Sequence, residues 1–428
     1  MRIELLLTLS IFAFLCVPAL GQVETVEYWL MKGAKEYGNG SFEEALGSFD
    51  NATAIDSQNA TVWFARGLAQ SALKRHEEAI SSYNKSIQID DENAAVWYAR
   101  AADESDLGRI NDSLVSYDRS LQIDPENKLI WYDKGNKLLY LSRYEEAISC
   151  YDEAILIDGN WSWPWYNRGK ALKYLGRIDE ALQSYDNATR LDPEYMKAWS
   201  EKGTVLASLG RYDEALEAFD RAVQIDPEDI ISLSNRAQAL QDLKRYEEAV
   251  KAYDDVLALN STDASAWYNR GLALGSLGRY DEALQSFEES IEIHPNSPSP
   301  WYGKATALRS LGRAQEAEEA WTRYQDLSYA HISFSDNSGQ SMEDAIVIMN
   351  ATGEDDGVGS EHYYLEKRFG GDAVRWGDIS QSLVGDEMDR SYDVLEVPLT
   401  TGETVTIYFD ITEFYGKGIE ELLEALGL

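Results

Sequence analysis

The chain has 428 residues, with 38 basic against 75 acidic side chains and a formal charge of −37. A negative field of that size repels phosphate backbones and anionic lipid headgroups within screening range, which excludes nucleic acid and anionic membrane surfaces as partners. Otherwise it describes a solvated exterior and is silent about fold.

Residues 1–21 read as a secretory signal peptide. Arg2 supplies the basic start, Leu5 to Val17 is almost wholly apolar, and Ala19-Leu20-Gly21 offers small residues for cleavage. The expectation is an exported chain, extracellular or at the cell surface, with an uncleaved N-terminal anchor as the only membrane alternative. Cys16 leaves with the signal, and Cys150 is then alone and cannot form an intrachain disulfide.

From residue 26 the chain repeats every 34 residues. Trp29, Trp63, Trp97, Trp131, Trp165, Trp199, Leu233, Trp267 and Trp301 share one register, so nine units follow one another. With each Trp numbered position 4, small or apolar residues recur at 4, 8 and 11 and again at 20, 24 and 27, the spacing of two amphipathic helices per unit. Position 8 is always Gly or Ala: Gly33, Gly67, Ala101, Gly135, Gly169, Gly203, Ala237, Gly271, Ala305. Opposite it, position 24 is aromatic throughout, from Phe49 and Tyr83 to Trp321, and a small residue lets the two helices approach while the ring fills the space beside it. Six glycines at position 15 (Gly40, Gly108, Gly176, Gly210, Gly278, Gly312) mark helix ends that turn left-handed. Cys150 stands where other units have Ser or Ala and reads as a small packing residue.

Position 7 is basic in all nine units (Lys32, Arg66, Arg100, Lys134, Arg168, Lys202, Arg236, Arg270, Lys304). Position 25 is acidic except at Asn84 and Thr322. The two rows are expected to pair along the stack rather than form an anion-binding ladder.

Trp at 4, Gly or Ala at 8, Ala at 20, an aromatic at 24 and Pro at 32 together resemble the tetratricopeptide repeat, matched over residues 26–327. The resemblance implies a mainly α fold, an α-α superhelical solenoid that is not catalytic and whose concave groove binds a protein or extended peptide. By family analogy, groove-facing positions include 2, 5, 6, 9, 12 and 13. The groove candidates are Tyr98, Tyr132, Tyr166, Tyr268 and Tyr302 at position 5, Asn167, Asn235 and Asn269 at position 6, and Asn136 at position 9. Amides suit a peptide backbone, and the rings also suit a glycan or small molecule, which is the alternative reading. A carboxylate clamp known in some relatives aligns on Tyr132, Asn136, Asn167, Lys197 and Glu201, where basic members are missing, so chaperone-tail binding is disfavoured. Trp161, Trp163, Trp165 and Tyr166 form a denser aromatic patch beside Asn160.

After the array, 328–342 reads as linker and 343–428 as a small α+β domain. Strands are expected at Ala345–Met349, Tyr392–Leu399 and Val405–Ile411, with helices at Glu361–Phe369 and Ile419–Leu426. Glu354, Asp355, Asp356, Glu361 and His362 fail the calcium-loop spacing and read as a solvated acidic loop. His76, His294, His331 and His362 join no nucleophile motif, and no phosphate loop occurs. No catalytic residue, metal or cofactor is therefore expected, an enzyme in the C-terminal domain being the least favoured reading.

Nine of the seventeen asparagines begin an Asn-x-Ser/Thr triplet: Asn39, Asn51, Asn59, Asn84, Asn111, Asn160, Asn187, Asn260 and Asn350. They fit a secreted glycoprotein.

Overall fold

The computed structural model describes residues 25–329, 333–334, 346–349, 361, 363–365, 367–368, 379–385, 391–401 and 403–410. The signal 1–21, most of the linker 328–342, Asn350, the loop residues Glu354, Asp355, Asp356 and His362, and the closing helix 419–426 lie outside the described residues. Two compact units divide the chain, Met1–Pro227 and Glu228–Leu428.

The first unit contains α1 (Val26–Gly38), α2 (Phe42–Ile55), α3 (Ala60–Ala72), α4 (His76–Ile89), α5 (Ala94–Asp106), α6 (Ile110–Ile123), α7 (Lys128–Tyr140), α8 (Tyr144–Ile157), α9 (Ser162–Tyr174), α10 (Ile178–Leu191), α11 (Met196–Ser208) and α12 (Tyr212–Ile225). The second contains α13 (Ile230–Asp242), α14 (Tyr246–Leu259), α15 (Ala264–Ser276), α16 (Tyr280–Ile293), α17 (Pro298–Ser310) and α18 (Ala314–Ser328). Each odd-numbered helix packs on the helix that follows it, as the 34-residue period requires. Asn59, Asn93, Asn127, Asp229 and Asp263 start first helices by accepting a hydrogen bond from a backbone amide two or three residues on.

The expected notch is present. A Cβ built on Gly67 would lie 2.4 Å from the Tyr83 ring, and one on Gly135 or Gly169 would lie 2.7 Å from Tyr151 or Tyr185. Those three rings have no exposed surface, and each contributes about 2–3 kcal/mol by burial. Ser113 replaces the position-20 alanine at no loss, because its hydroxyl donates to the Ala101 carbonyl at 2.7 Å.

The indoles depart from a fully buried role. They are half-buried, and seven of them, from Trp63 to Trp301, point the N–H at the loop before their own helix, as Trp63 does to the Ser57 carbonyl at 3.0 Å and Trp131 to the Pro125 carbonyl at 2.9 Å. The position-7 cation covers the outer ring face, Lys202 over Trp199 at 5.2 Å and Arg66 over Trp63 at 5.6 Å. In six repeats that same cation reaches back to position 25 of the repeat before it. Arg66 meets Asp50, Lys134 meets Asp118, Arg168 meets Asp152 and Lys202 meets Asp186, all at 2.6 Å. Arg270 meets Asp254 at 2.7 Å and Lys304 meets Glu288 at 2.8 Å. Where Asn84 supplies no charge, Arg100 turns to Glu104 of its own helix at 2.8 Å. The ladder is structural, as the charge pattern implied.

Position 15 takes a left-handed backbone in every unit, with φ between 71° and 80° at the six glycines and 60°, 58° and 59° at Lys74, Ser142 and Lys244. A side chain there costs about 1–2 kcal/mol, part of which glycine returns through its freer unfolded chain. The triple variant Lys74→Gly, Ser142→Gly, Lys244→Gly is therefore expected to gain about 0.5–1 kcal/mol per site, read as a raised thermal midpoint. An unchanged or lowered midpoint would refute the assignment of strain.

The C-terminal part of the second unit holds β1 (Ser333–Phe334), β2 (Ile346–Met349), β3 (Ser380–Gly385), β4 (Ser391–Pro398) and β5 (Thr404–Asp410), in the order β1-β2-β5-β4-β3. β2 pairs parallel with β5 and the other neighbours are antiparallel. Leu395, Val397, Ile407 and Phe409 alternate along β4 and β5 onto one face, where Ile346 and Leu365 complete a core. Two strands were not expected: β1 lies within the stretch read as linker, and β3 has only Leu383 and Val384 to advertise it. Tyr363 and Lys367 hold this module to the last repeat, both meeting the Asp326 carboxylate, while Tyr363 stacks on Tyr329 at 5.2 Å.

Glu361 corrects the reading of a solvated acidic loop. It is 1% exposed, one helical turn before Leu365, and faces Asp393, which shares the inward parity of Leu395 and Val397 and is 4% exposed. Burial, then the Asp393 charge and the hydrogen bond shared with it, push the Glu361 carboxyl up to about 9.

Candidate functional site

The first helices α7 and α9 carry the clearest candidate surface. Tyr140 at the end of α7 is 77% exposed, Tyr174 at the end of α9 57%, and Trp163 at the start of α9 42%. Tyr174 stacks on Tyr144 at 5.1 Å, and Trp163 leans on Tyr132 and Trp161 at 6.2 and 6.1 Å. In a chain of net charge −37, α7 and α9 together hold Lys128, Lys134, Lys137, Arg168, Lys170 and Lys173 against the single carboxylate Asp133. Four of these cations meet acidic partners, Asp158, Asp118, Asp152 and Glu201 respectively for Lys128, Lys134, Arg168 and Lys173. Lys170 lies over the Tyr166 ring at 5.7 Å, and Lys137 is half-buried on α7.

The groove candidates separate into two kinds. Tyr132 and Tyr166 are only 9% exposed, because Trp161 covers the first at 4.7 Å and Tyr195 the second at 5.0 Å. Asn136 accepts from the Tyr151 hydroxyl at 3.0 Å and from Asn167 at 2.9 Å, while Asn167 also donates to the Tyr132 hydroxyl at 3.1 Å. These amides satisfy a buried phenol that would otherwise be orphaned, which is a structural use. Gln238 does the same for Tyr253 at 3.3 Å. The clamp alignment thus falls on groups bonded to each other, and Glu201 is bonded to Lys173 at 2.7 Å. Tyr98 donates to Asp133 at 2.6 Å. Asn235 and Asn269 are half-buried, Tyr302 is 46% exposed, and Tyr268 lines a cleft of about 220 Å³ with Ser265, Ser290, His294 and Ser297. Trp165 is explained by packing, its N–H on the Gly159 carbonyl at 3.2 Å.

Tyr140 and Tyr174 were missed in the sequence, although their position 13 was among those facing the groove. Nothing in the repeat pattern distinguishes an exposed aromatic there from a covered one.

Of the acceptor asparagines, Asn39, Asn51, Asn111 and Asn160 are exposed, and Asn59, Asn84, Asn187 and Asn260 half-buried. Cys150 is 3% exposed, and burial pushes its thiol up to about 11, so it is an inert packing residue. Among the described residues no helix is long and apolar enough to cross a membrane.

Helix pairs of one period, locked by a ring in a notch and a cation ladder, define an α-solenoid repeat protein. Tetratricopeptide repeat family models match residues 30–94, 130–160, 166–230, 234–298 and 276–324, together more than half of the chain. The chain belongs to the tetratricopeptide repeat family, whose members are generally non-catalytic protein-interaction scaffolds. Among solved structures, the C-terminal part of a TPR repeat-containing protein from Cytophaga hutchinsonii is 14% identical with a TM-score of 0.51, spanning 56% of this chain and 98% of that one. YrrB, described as a TPR protein with an unusual peptide-binding site, is 22% identical at 0.42, spanning 44% and 97%. MamA from Desulfovibrio magneticus RS-1 is 20% identical at 0.39, spanning 40% and 97%. Comparison with curated proteins finds no match.

Proposed function

We propose that the chain is an exported, glycosylated scaffold whose first-helix face on α7 and α9 binds an extended, acidic protein segment. The observation that carries this is the concentration of exposed rings beside half-buried lysines there in a chain that is otherwise strongly acidic. Tyr140, Trp163 and Tyr174 supply apolar area, and Lys137 and Lys170 supply charge that an acidic segment complements. Trp163 and Tyr174 stand eleven residues apart on one helix, about 16 Å, which about five extended residues span. Export and glycosylation rest on the signal-like start and the nine acceptor triplets.

The test is capture from the culture medium and cell envelope with the full chain and with Tyr140→Ala/Tyr174→Ala/Lys170→Glu, whose changes lie at or near the surface. The intact chain is expected to retain an acidic protein in a salt-sensitive manner, and the variant to lose it. Equal retention by both would sink the assignment, and retention of glycans alone would favour the carbohydrate alternative.

A further inference from the structure

Two columns of the repeat are broken together at one place. Position 17 is aromatic or aliphatic in the other units, as at Tyr144, Tyr246 and Tyr280, except for Ala314 in the last, but is His76 in the second. Position 10 is alanine in five units, including Ala69, Ala171 and Ala239, but is Asp103 in the third. The two departures touch. His76 Nδ1 lies 2.5 Å from Asp103 Oδ1 and 4.0 Å from Asp106 Oδ2, and Ser71 Oγ donates to Asp103 Oδ1 at 2.9 Å.

A buried carboxylate is an expensive occupant of a position that is alanine in five units, valine in one and lysine in two. Asp103 is 1% exposed, and its Oδ2 has no hydrogen-bond partner. The hydroxyl of Tyr83, fully buried on the same helix as His76, lies against the same carboxylate. A buried carboxylate oxygen left open in this way has capacity for a further ligand. One ligand atom from each of His76, Asp103 and Asp106 lies within 4.8 Å of the others, and the Asp106 side chain, 62% exposed, opens the cluster to solvent and is free to close on an ion.

We propose that His76 Nδ1 and the carboxylates of Asp103 and Asp106 bind one divalent transition-metal ion of the zinc class, with Ser71 orienting Asp103. One imidazole and two carboxylates suit such an ion better than magnesium or calcium, which take oxygen donors. Three protein ligands leave a fourth position for water. The ion would join the second and third repeats, making stability in this part of the array metal-dependent.

The experiment titrates the tag-free full chain with Zn²⁺ alone by calorimetry, with Mg²⁺ as the control ion and Co²⁺ as the spectroscopic probe. His76→Tyr/Asp103→Ala restores residue types that other units carry at these positions, and Asp106→Asn changes only an exposed side chain. The expected result is one Zn²⁺ equivalent in the intact chain, a raised thermal midpoint and a tetrahedral Co²⁺ spectrum. All three are lost in the double variant, and affinity falls about tenfold or more in Asp106→Asn. The same zinc isotherm in the intact chain and the double variant, or unchanged affinity in Asp106→Asn, would overturn the site and leave His76–Asp103 a structural ion pair.

Discussion

Glu361→Gln is expected to stabilise the C-terminal module at pH 8 and to flatten its dependence on pH. The folded carboxyl is held up to about 9 against an ordinary value of 4.5, by burial first and by the facing Asp393 second. Above about pH 4.5 the unfolded chain gives up this proton while the folded chain keeps it until about pH 9. Stability that is complete below the lower value is therefore lost as pH rises through that window, at roughly 1.4 kcal/mol per pH unit for this one group. Between pH 5 and pH 8 the loss is about 4 kcal/mol, a large share of what a small module possesses. Glutamine is neutral throughout and presents an amide donor to Asp393, which removes the slope. Urea titrations at both pH values, read by proteolytic susceptibility of the segment 391–410, measure it. Equal slopes for the intact chain and the variant would show that Glu361 ionises in place at no cost.

Gly135→Leu is expected to destabilise the fourth repeat by about 3 kcal/mol or more. A Cβ alone would already sit 2.7 Å from the Tyr151 ring, which has no exposed surface and whose hydroxyl is fixed by Asn136. The gain in helix propensity, about 0.8 kcal/mol, is too small to compensate. Ala101 and Ala237 occupy the same position beside Tyr117 and Tyr253, so one methyl is accommodated elsewhere in the array. Gly135→Ala should accordingly change urea stability little, while Gly135→Leu lowers the midpoint sharply. Similar midpoints for the two variants would mean that the ring does not fill the notch.

Much of the fold was legible because each of its contacts recurs. The ring beside position 8, the left-handed position 15 and the ladder from position 7 to position 25 each connect residues less than one period apart, and nine units display the same residue types. Asn84 illustrates the logic: a neutral residue in the acidic column redirects Arg100 to Glu104. What could not be read depends on depth. Asn136 and Asn167 look like peptide-binding amides until Tyr151 and Tyr132 are found to need them. Glu361 follows Glu354, Asp355 and Asp356 and shares their appearance, yet one turn of helix places it against β4. The candidate surface was half visible, since the first helices were identified but the exposed Tyr140 and Tyr174 could not be told from their covered counterparts.

The division of labour between helices is the claim on which the functional reading depends: second helices and buried rings hold the stack, while the first-helix face of the fourth and fifth repeats recruits. Amide hydrogen exchange of the full chain with and without its captured partner tests this directly. Added protection is expected in α7 and α9, with α8 and α10 unchanged. Protection confined to α8 and α10, or to the C-terminal module, would contradict it.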